Sequence, residues 1–411
     1  MIKKTIVTGM VALMSLAAMA LPAKRGLTNT ITLNDGTKVE VSLVGDEFMH
    51  YWQDAYGNKY VPTGEANVFK LADASAVSNL TTRALARKAH VTARRSARLK
   101  SNNSTDVFKG KKKGLVILVE FTDVKFKNSD SQTLFNRISN EEGYNEGFFQ
   151  GSVKDYFLAQ SRGQFELDFD VVGPVKLAHN MKYYGGNDSN GYDLHPEEMI
   201  VEACKGIDSK VDFSKYDWDG DGEVDQVYVI YAGYGEADSG KENTIWPHEW
   251  QLSGASQSMI LDGVKVDTYA CSSELNGAGE IGGIGTMCHE FSHCMGIPDM
   301  YDTGYSGNFG MGPFDLMDYG AYNEDGYKPC GYTAYERMIS GWIDPIEVRK
   351  GAELSVTGMK ALTEGGEAYK LINSGNDDEY FLVENRQFAG WDESLPQSGV
   401  LITHVDFDQT V

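Results

Sequence analysis

Two histidines four residues apart, with a glutamate beside the first, constrain this chain more than any other feature. His289, Glu290 and His293 lie in the stretch GIGTMCHEFSHCMGIPDMYD, residues 283–302. Residues four apart share one face of an α-helix, so a helix here would point both imidazoles in one direction. The preceding GEIGGIGTM is small and apolar, and imidazoles buried with a carboxylate are costly unless they bind an ion. The stretch therefore predicts a core helix that holds a metal ion.

This pattern fits a catalytic zinc site better than a structural one. Zn²⁺ with three protein ligands and an open position lowers the pKa of its bound water towards 7, and a neighbouring carboxylate can then take the proton. Structural zinc sites are usually closed by four Cys or His ligands and need no glutamate. The sequence therefore indicates His289 and His293 as zinc ligands and Glu290 as the general base of a hydrolase.

An aspartate is expected to supply the third ligand. Gly296 can end the helix and reverse the chain through a left-handed conformation. The reversal would bring Asp299 back to the metal, and a carboxylate oxygen is an acceptable zinc ligand. Asp302 is the close competitor, and either carboxylate could instead orient a histidine without touching the ion. We predict Asp299 as the ligand.

The stretch FDLMDYG, which follows, makes a family resemblance specific. Gly296, Asp299, Met317 and, two residues later, Tyr319 resemble the arrangement of the metzincin clan of zinc proteases. The resemblance implies a methionine turn beneath the metal and a catalytic role for Tyr319 in stabilising the oxyanion. More closely, HEFSHCMGIPDMYD, GPFDLMDYG, VILVEFTDVKF, DWDGDGEVDQVYVIYAG, IWPHEW and GVLITHVD together resemble the immune inhibitor A family of secreted bacterial metalloproteases. The resemblance runs from about residue 114 to the end of the chain.

The resemblance implies a zinc endopeptidase that is made as a secreted zymogen. Its partners would be protein or peptide substrates, host proteins included, and a propeptide would act as an intramolecular inhibitor. The N-terminal segment has no cysteine that could bind zinc, so inhibition must use another group. The alternative is a calcium-stabilised surface-binding module whose zinc site is structural or vestigial, which the intact Glu290 disfavours.

The start of the chain predicts export. Lys3 and Lys4 precede an apolar run, and Ala18-Met19-Ala20 resembles a cleavage site, so residues 1–20 are predicted to be a signal peptide cut before Leu21. The apolar run is short for a membrane span and no later stretch is long enough, so we expect a secreted or cell-surface protein without membrane insertion. The formal charge of −22 argues against nucleic acid as a partner.

Four regions are expected along the chain. After the signal peptide, residues 21–107 are predicted to be a propeptide. It begins as a small antiparallel β unit, and a basic segment from about Val77 to Lys113 spans the boundary to the next region. Such a run is usually a solvated helix or linker, but between a prosegment and a protease its Arg and Lys residues would suit proteolytic removal. Residues 108–345 are predicted to be the catalytic domain, and 346–411 a β-rich part that continues beyond Val411.

The predicted fold class is α/β (α+β), a zincin-like or metzincin-like domain with a mixed β-sheet and an active-site helix. GLVILVEF and QVYVIYAGYGE are apolar runs typical of buried strands. SVKDYFLAQS begins with Ser152 and a capping-box partner, Asp155, and predicts a helix. HPEEMIVEACKGI, with Pro196 in its first turn, predicts another.

The sequence contains further acidic, histidine and cysteine residues that bear on metal binding or disulfide formation. Asp217, Asp219, Asp221 and Asp225 take positions one, three, five and nine of a calcium loop, but position twelve is Tyr228, so a Ca²⁺ site competes with an acidic turn without an ion. His248 and His404 are left outside the metal shell. The five cysteines are an odd and sparse set, so we expect buried thiols. Cys288 and Cys294 would lie roughly 9 Å apart along a helix, too far for a disulfide.

Overall fold

The computed structural model describes residues 21–406, apart from residues 64, 66, 189, 190, 305, 350 and 374 and the side chains of residues 102–105. The predicted signal peptide lies outside the described residues. The chain first forms a small closed barrel of five strands: β1 (Thr28–Leu33), β2 (Lys38–Gly45), β3 (His50–Gln53), β4 (Lys59–Pro62) and β5 (Val68–Leu71). Neighbouring strands pair antiparallel as predicted, except that β1 and β5 close the barrel in parallel.

A long helix, α1 (Ala74–Thr105), follows the barrel and carries most of the basic segment. The prediction of a solvated segment is wrong for part of it. Lys88 and Arg95 are buried, because α1 packs along the main domain and these side chains pair with it. The prediction of a linker is also wrong for Lys111–Lys113, which lie in the next strand, where Lys111 and Lys113 pair with acidic residues of the neighbouring strand.

A mixed five-stranded sheet forms the centre of the main domain. Its strand order is β7-β6-β8-β12-β9, parallel except for the edge strand β9. The strands are β6 (Gly110–Glu120), β7 (Phe165–Lys176), β8 (Val227–Tyr234), β9 (His248–Gln251) and β12 (Thr268–Leu275). A small hairpin of β10 (Met259–Leu261) and β11 (Val264–Val266) is part of the connection from β9 to β12 along the chain.

Both faces of the central sheet are covered, which explains the continuous apolar runs. Along β6, Val116 and Leu118 belong to one apolar cluster while Leu115, Ile117 and Val119 belong to another. Successive side chains of a strand point to opposite faces, so a strand between two cores is apolar at every position. The predictions of buried strands at GLVILVEF and QVYVIYAGYGE are confirmed.

The helices are α2 (Ser131–Asn140), α3 (Val153–Gln160), α4 (Met181–Gly185), α5 (Pro196–Ile207), α6 (Glu236–Ser239), α7 (Gly285–Cys294) and α8 (Ala334–Ile339). Of these, α2, α3, α5 and α7 pack against the central sheet, while α8 packs against the C-terminal strand β15 (Asn376–Arg386). Ser152 and Asp155 form the predicted capping box of α3, and Pro196 stands in the first turn of α5. The helix α7 carries HEFSH and packs against β12 and β9. The predicted α/β class, a mixed sheet with a core helix, is confirmed.

The last part of the described chain is a four-stranded sheet in the order β13-β14-β15-β16. Its strands are β13 (Ile346–Val348), β14 (Tyr369–Asn373), β15 (Asn376–Arg386) and β16 (Gly399–Asp406). The five cysteines are buried free thiols, as predicted. In the part of the chain that the structure describes, no helix combines the length and apolarity that a bilayer span requires.

Candidate metal centre

The helix α7 presents His289 and His293 on one buried face. His289 Nδ1 contacts the carbonyl oxygen of Leu316 at 2.8 Å, and His293 Nδ1 contacts that of Ile297 at 2.7 Å. A carbonyl only accepts hydrogen bonds, so each Nδ1 carries the proton and donates. In the neutral rings both Nε2 atoms therefore present lone pairs.

Asp299 brings a third acceptor to the same point. Its Oδ1 lies 3.1 Å from His289 Nε2 and 3.3 Å from His293 Nε2, and the two Nε2 atoms are 3.1 Å apart. A tetrahedral zinc ion with bonds of about 2.0–2.1 Å holds its ligand atoms about 3.3 Å apart. The three groups fit a bound zinc ion.

The chain reversal that delivers Asp299 follows the sequence prediction. Gly296 has φ +92°, and its N–H donates to the carbonyl of His293 as the helix ends. Asp302 lies outside the cluster: its carboxylate accepts hydrogen bonds from the backbone of Gly307 and Asn308 in its own loop. The structure thus brings Asp299, and not Asp302, to the two histidines.

The FDLMDYG segment forms the floor of this cluster. Leu316 supplies the carbonyl that orients His289, and the carbonyl of the fully buried Met317 accepts the N–H of Met300, next to Asp299. Asp315 Oδ1 accepts the N–H of Met317 at 2.8 Å and fixes the turn. The loop at Leu316 and Met317 therefore contacts both α7 and the segment that carries Asp299. The family resemblance predicted a methionine turn at this loop.

Glu290 lies between the histidines and is completely buried. Burial raises the pKa of its carboxyl to about 8, with His289 acting in the opposite direction. Its Oε1 accepts the backbone N–H of Leu21 at 3.2 Å, and within the described residues no donor reaches Oε2. The Glu290 carboxyl is therefore buried, with one oxygen held by the first described residue of the predicted propeptide.

Tyr319, the other predicted catalytic residue, follows the floor loop. The guanidinium of Arg25 lies 3.6 Å from the centre of its ring. Tyr319 is not a member of the His–His–Asp cluster. Arg25, a residue of the predicted propeptide, therefore covers the ring of Tyr319.

An ion pair that sequence reasoning missed adjoins the cluster. Arg95 of α1 lies with its Nη1 3.5 Å from Asp299 Oδ2 and its Nη2 2.9 Å from Glu249 Oε2, and all three side chains are buried. Glu249 follows His248 in the stretch IWPHEW. No local sequence spacing links Arg95 to Glu249 or Asp299. A buried cation requires an acidic partner, so the basic run was only a weak indication that such an ion pair exists.

The acidic loop is assembled only in part. Asp217, Asp219 and Asp221 can bring one oxygen each to a common point. Asp225 instead accepts the N–H of Trp218 and pairs with Arg98 of α1, which also contacts Asp219 Oδ2 at 3.2 Å. Asp225, the fourth predicted calcium ligand, thus pairs with a guanidinium. Tyr228 of β8, at position twelve of the predicted loop, is buried in the core.

His248 and His404 lie apart from the cluster, as predicted. Burial lowers the pKa of His248 to about 4, and its ring contacts Trp246 and Tyr269. His404 pairs with Glu379 on the C-terminal sheet. Both rings have structural partners.

Comparison with known proteins places this site in a family. The model described as "Immune inhibitor A peptidase M6, catalytic domain" matches residues 101–340, more than half of the chain. Immune inhibitor A of Bacillus thuringiensis subsp. alesti is 29% identical over 289 aligned positions, covering 58% of this chain and 42% of that protein. Pre-pro-metalloprotease PrtV of Vibrio cholerae serotype O1, matched in two strains, is 24% identical over 273 positions, covering 55% and 29%. The chain thus spans less than half the length of these relatives.

Proposed function

This chain belongs to the immune inhibitor A peptidase M6 family, and we propose that it is a secreted zinc-dependent endopeptidase made as a zymogen. The observation that carries the proposal is the convergence of three acceptors, His289 Nε2, His293 Nε2 and Asp299 Oδ1, at tetrahedral ligand spacing. Lone pairs and a carboxylate that point at one another in a buried site repel unless a cation lies between them. We therefore propose these three residues as the zinc ligands.

The proposed reaction is hydrolysis of a peptide bond. Bound zinc supplies Lewis acidity and acidifies a water molecule. Glu290, beside the ligands, would take a proton from the attacking water and pass it to the departing amine. Tyr319 would donate a hydrogen bond to the developing oxyanion once Arg25 has left. A surface-binding module would need no buried carboxyl at this position.

We propose that residues 21–107 act as an intramolecular inhibitor. Three contacts from this segment support the proposal: Leu21 donates to Glu290, Arg25 covers Tyr319, and Arg95 pairs with Asp299. Each contact engages a residue with a proposed catalytic or ligand role. Inhibition by these groups would require no cysteine on the metal.

Limited trypsin treatment should therefore activate the protein. Arg83 and Lys100 of α1 are exposed, whereas Lys88 and Arg95 are buried, so cleavage should favour the exposed pair and yield a stable product starting at Ser101. Hydrolysis of a fluorogenic peptide should rise as the N-terminal fragment is lost. Addition of 1,10-phenanthroline should abolish the hydrolysis, and zinc should restore it.

The Lys100→Gln variant is the matched control, because it should shift the cut while it leaves the fold intact. Digestion of the whole chain, or a stable product without any gain in hydrolysis, would contradict the propeptide assignment.

We also propose calcium binding at Asp217, Asp219 and Asp221, on the basis of their shared oxygen cluster. Extracellular calcium modules bind with Kd on the order of 10⁻⁴–10⁻³ M. Calorimetric titration with CaCl₂ should give saturable binding that Asp221→Asn weakens and Asp208→Asn, at an exposed acid on another loop, leaves unchanged. No saturable heat would refute the site.

A further inference from the structure

We infer that Arg386 of the C-terminal sheet is a positioning residue of the metal site, and that this sheet belongs to the catalytic unit of the enzyme. The catalytic-domain model of the family matches residues 101–340, so Arg386 lies outside the matched part of the chain. The inference rests on the proposed function, because it names a further residue on which the geometry of the same zinc site depends.

Arg386 stands at the end of β15 and is 1% exposed. Its Nε donates to Asp392 Oδ2 at 2.7 Å, and its Nη2 donates to Asp392 Oδ1 at 2.6 Å. Asp392 is itself completely buried. A guanidinium and a carboxylate that share two parallel hydrogen bonds have a defined relative orientation. Asp392 therefore fixes the direction in which the other N–H groups of Arg386 point.

The guanidinium also contacts two backbone segments of the main domain. Its Nη1 donates to the carbonyl of Phe314 at 3.1 Å, and its Nη2 donates to the carbonyl of Gly331 at 2.9 Å. The N–H of Gly331 in turn donates to Asp392 Oδ1 at 2.9 Å. Phe314 is the first residue of FDLMDYG, the segment that forms the floor of the metal cluster. Arg386 and Asp392 therefore connect the C-terminal sheet to the floor of the site.

The path from Phe314 to the proposed metal ligands is short. Two residues after Phe314, the carbonyl of Leu316 accepts the 2.8 Å hydrogen bond that orients His289. The carbonyl of the next residue accepts the backbone N–H of the residue after Asp299, also at 2.8 Å. The segment that Arg386 holds at its start thus supports two of the three proposed ligands. A displacement of this segment would change the spacing of the ligand atoms.

The neighbours of the guanidinium explain why an arginine stands at this position. Four hydrogen bonds run from Arg386 to acceptor oxygens, two on the carboxylate of Asp392 and two on backbone carbonyls. An arginine presents five N–H donors in a planar fork, whereas a lysine presents three on a single nitrogen. A lysine would therefore keep the charge beside Asp392 but could not reach all of these oxygens from one atom.

The Arg386→Lys change in the full-length protein tests the inference. Competition with a chromogenic chelator measures the dissociation constant for zinc, which should rise about tenfold. Partners that orient metal ligands contribute about 10- to 100-fold to metal affinity, and Arg386 acts on such a partner through the backbone. The protein loaded with Co²⁺ instead of zinc should show a changed visible absorption spectrum, because that spectrum depends on the arrangement of the ligands.

Kinetics of the trypsin-activated protein separate positioning from substrate binding. At saturating zinc, the Arg386→Lys enzyme should show a kcat about tenfold lower on a fluorogenic peptide. Its KM should stay close to that of the unchanged enzyme, because the contacts of Arg386 lead to the metal ligands. A lower kcat with an unchanged KM indicates the loss of an interaction that matters only in the transition state.

Arg349→Lys is the matched control. Arg349 follows β13 of the same sheet, and its ion pair with Glu347 is exposed. This variant should keep the zinc affinity, the Co²⁺ spectrum and the kcat of the unchanged protein. Asp392→Asn is a second test variant, because it nearly keeps the shape of the side chain but removes the charge that holds Arg386. It should weaken zinc binding in the same direction, and it decides the question if circular dichroism shows that Arg386→Lys does not fold.

A folded Arg386→Lys or Asp392→Asn protein with unchanged zinc affinity and an unchanged Co²⁺ spectrum would overturn the inference. A lower melting temperature alone would then mean that Arg386 only stabilises the fold. If the unchanged protein bound zinc but did not hydrolyse peptides after activation, the proposed function would be overturned instead. The comparison of zinc affinities would still decide the role of Arg386.

Discussion

The Glu290→Gln protein should keep its zinc and lose peptide hydrolysis. The amide has nearly the shape of the carboxyl and leaves His289 and His293 in place, but it cannot accept a proton. Loss of a general base typically lowers the rate by about 10²- to 10⁴-fold. The comparison requires trypsin-activated protein, zinc content by atomic absorption, and kcat/KM on one fluorogenic peptide.

Glu280→Gln is the matched control, because it makes the same change, carboxyl to amide, at an exposed residue outside the cluster. That variant should hydrolyse the peptide at the rate of the unchanged protein. The reverse change at Gln160 would not serve, because Gln160 is buried and hydrogen-bonded to Arg337 and Tyr332. Near-normal turnover by zinc-loaded Glu290→Gln would eliminate the proposed mechanism.

The substitution also separates the two roles of Glu290. In the full-length protein its Oε1 accepts the N–H of Leu21. A glutamine oxygen can accept the same hydrogen bond, so the variant should retain the prosegment contact even though it cannot catalyse. The loss of hydrolysis after activation would then report on proton transfer and not on a disturbed cleft.

The metal cluster could be predicted from sequence because its parts are local. Helical spacing places His289 and His293 on one face, and Gly296 permits the reversal that leads to Asp299. The strands of the central sheet were equally readable, since burial on two faces leaves an uninterrupted apolar run. In each case, a few neighbouring residues contain the whole signal.

The contacts that cover the site could not be predicted in this way. Leu21 and Glu290 are 269 residues apart, and Arg95 and Glu249 are 154 apart. Such pairs depend on how the N-terminal segment, the barrel and α1 pack against the main domain. The hydrophobic periodicity of the sequence contains no information about that packing. The basic segment looked solvated because charged side chains usually are, but buried acidic partners in the main domain reverse that expectation for Arg95.

The acidic loop shows the same limit of a local pattern. The spacing of Asp217, Asp219, Asp221 and Asp225 matched a calcium loop, yet Arg98 from a distant helix contacts two of the four carboxylates. A motif defined by spacing alone cannot anticipate a counter-charge that arrives from elsewhere in the fold. A metal ion and a guanidinium satisfy the same carboxylates, so the sequence pattern does not distinguish them.

Replacing Asp299 by alanine should remove the metal, whereas the same change at Asp302 should not. Asp299 Oδ1 lies 3.1 Å and 3.3 Å from the two histidine nitrogens, while Asp302 caps its own loop. Even loss of a group that only orients a ligand weakens metal binding about 10- to 100-fold, and loss of a ligand itself should exceed that. Zinc content after dialysis against a weak chelator is the measurement.

The Asp302→Ala protein is the matched control, because it removes an equal charge three residues away. Circular dichroism of both variants would show whether the fold survives, which matters because Asp299 also partners Arg95. A zinc-loaded Asp299 variant beside a zinc-free Asp302 variant would reverse the ligand assignment. If both variants retained zinc, neither Asp299 nor Asp302 would be the third ligand. The residue that completes the site with His289 and His293 would then lie elsewhere in the chain.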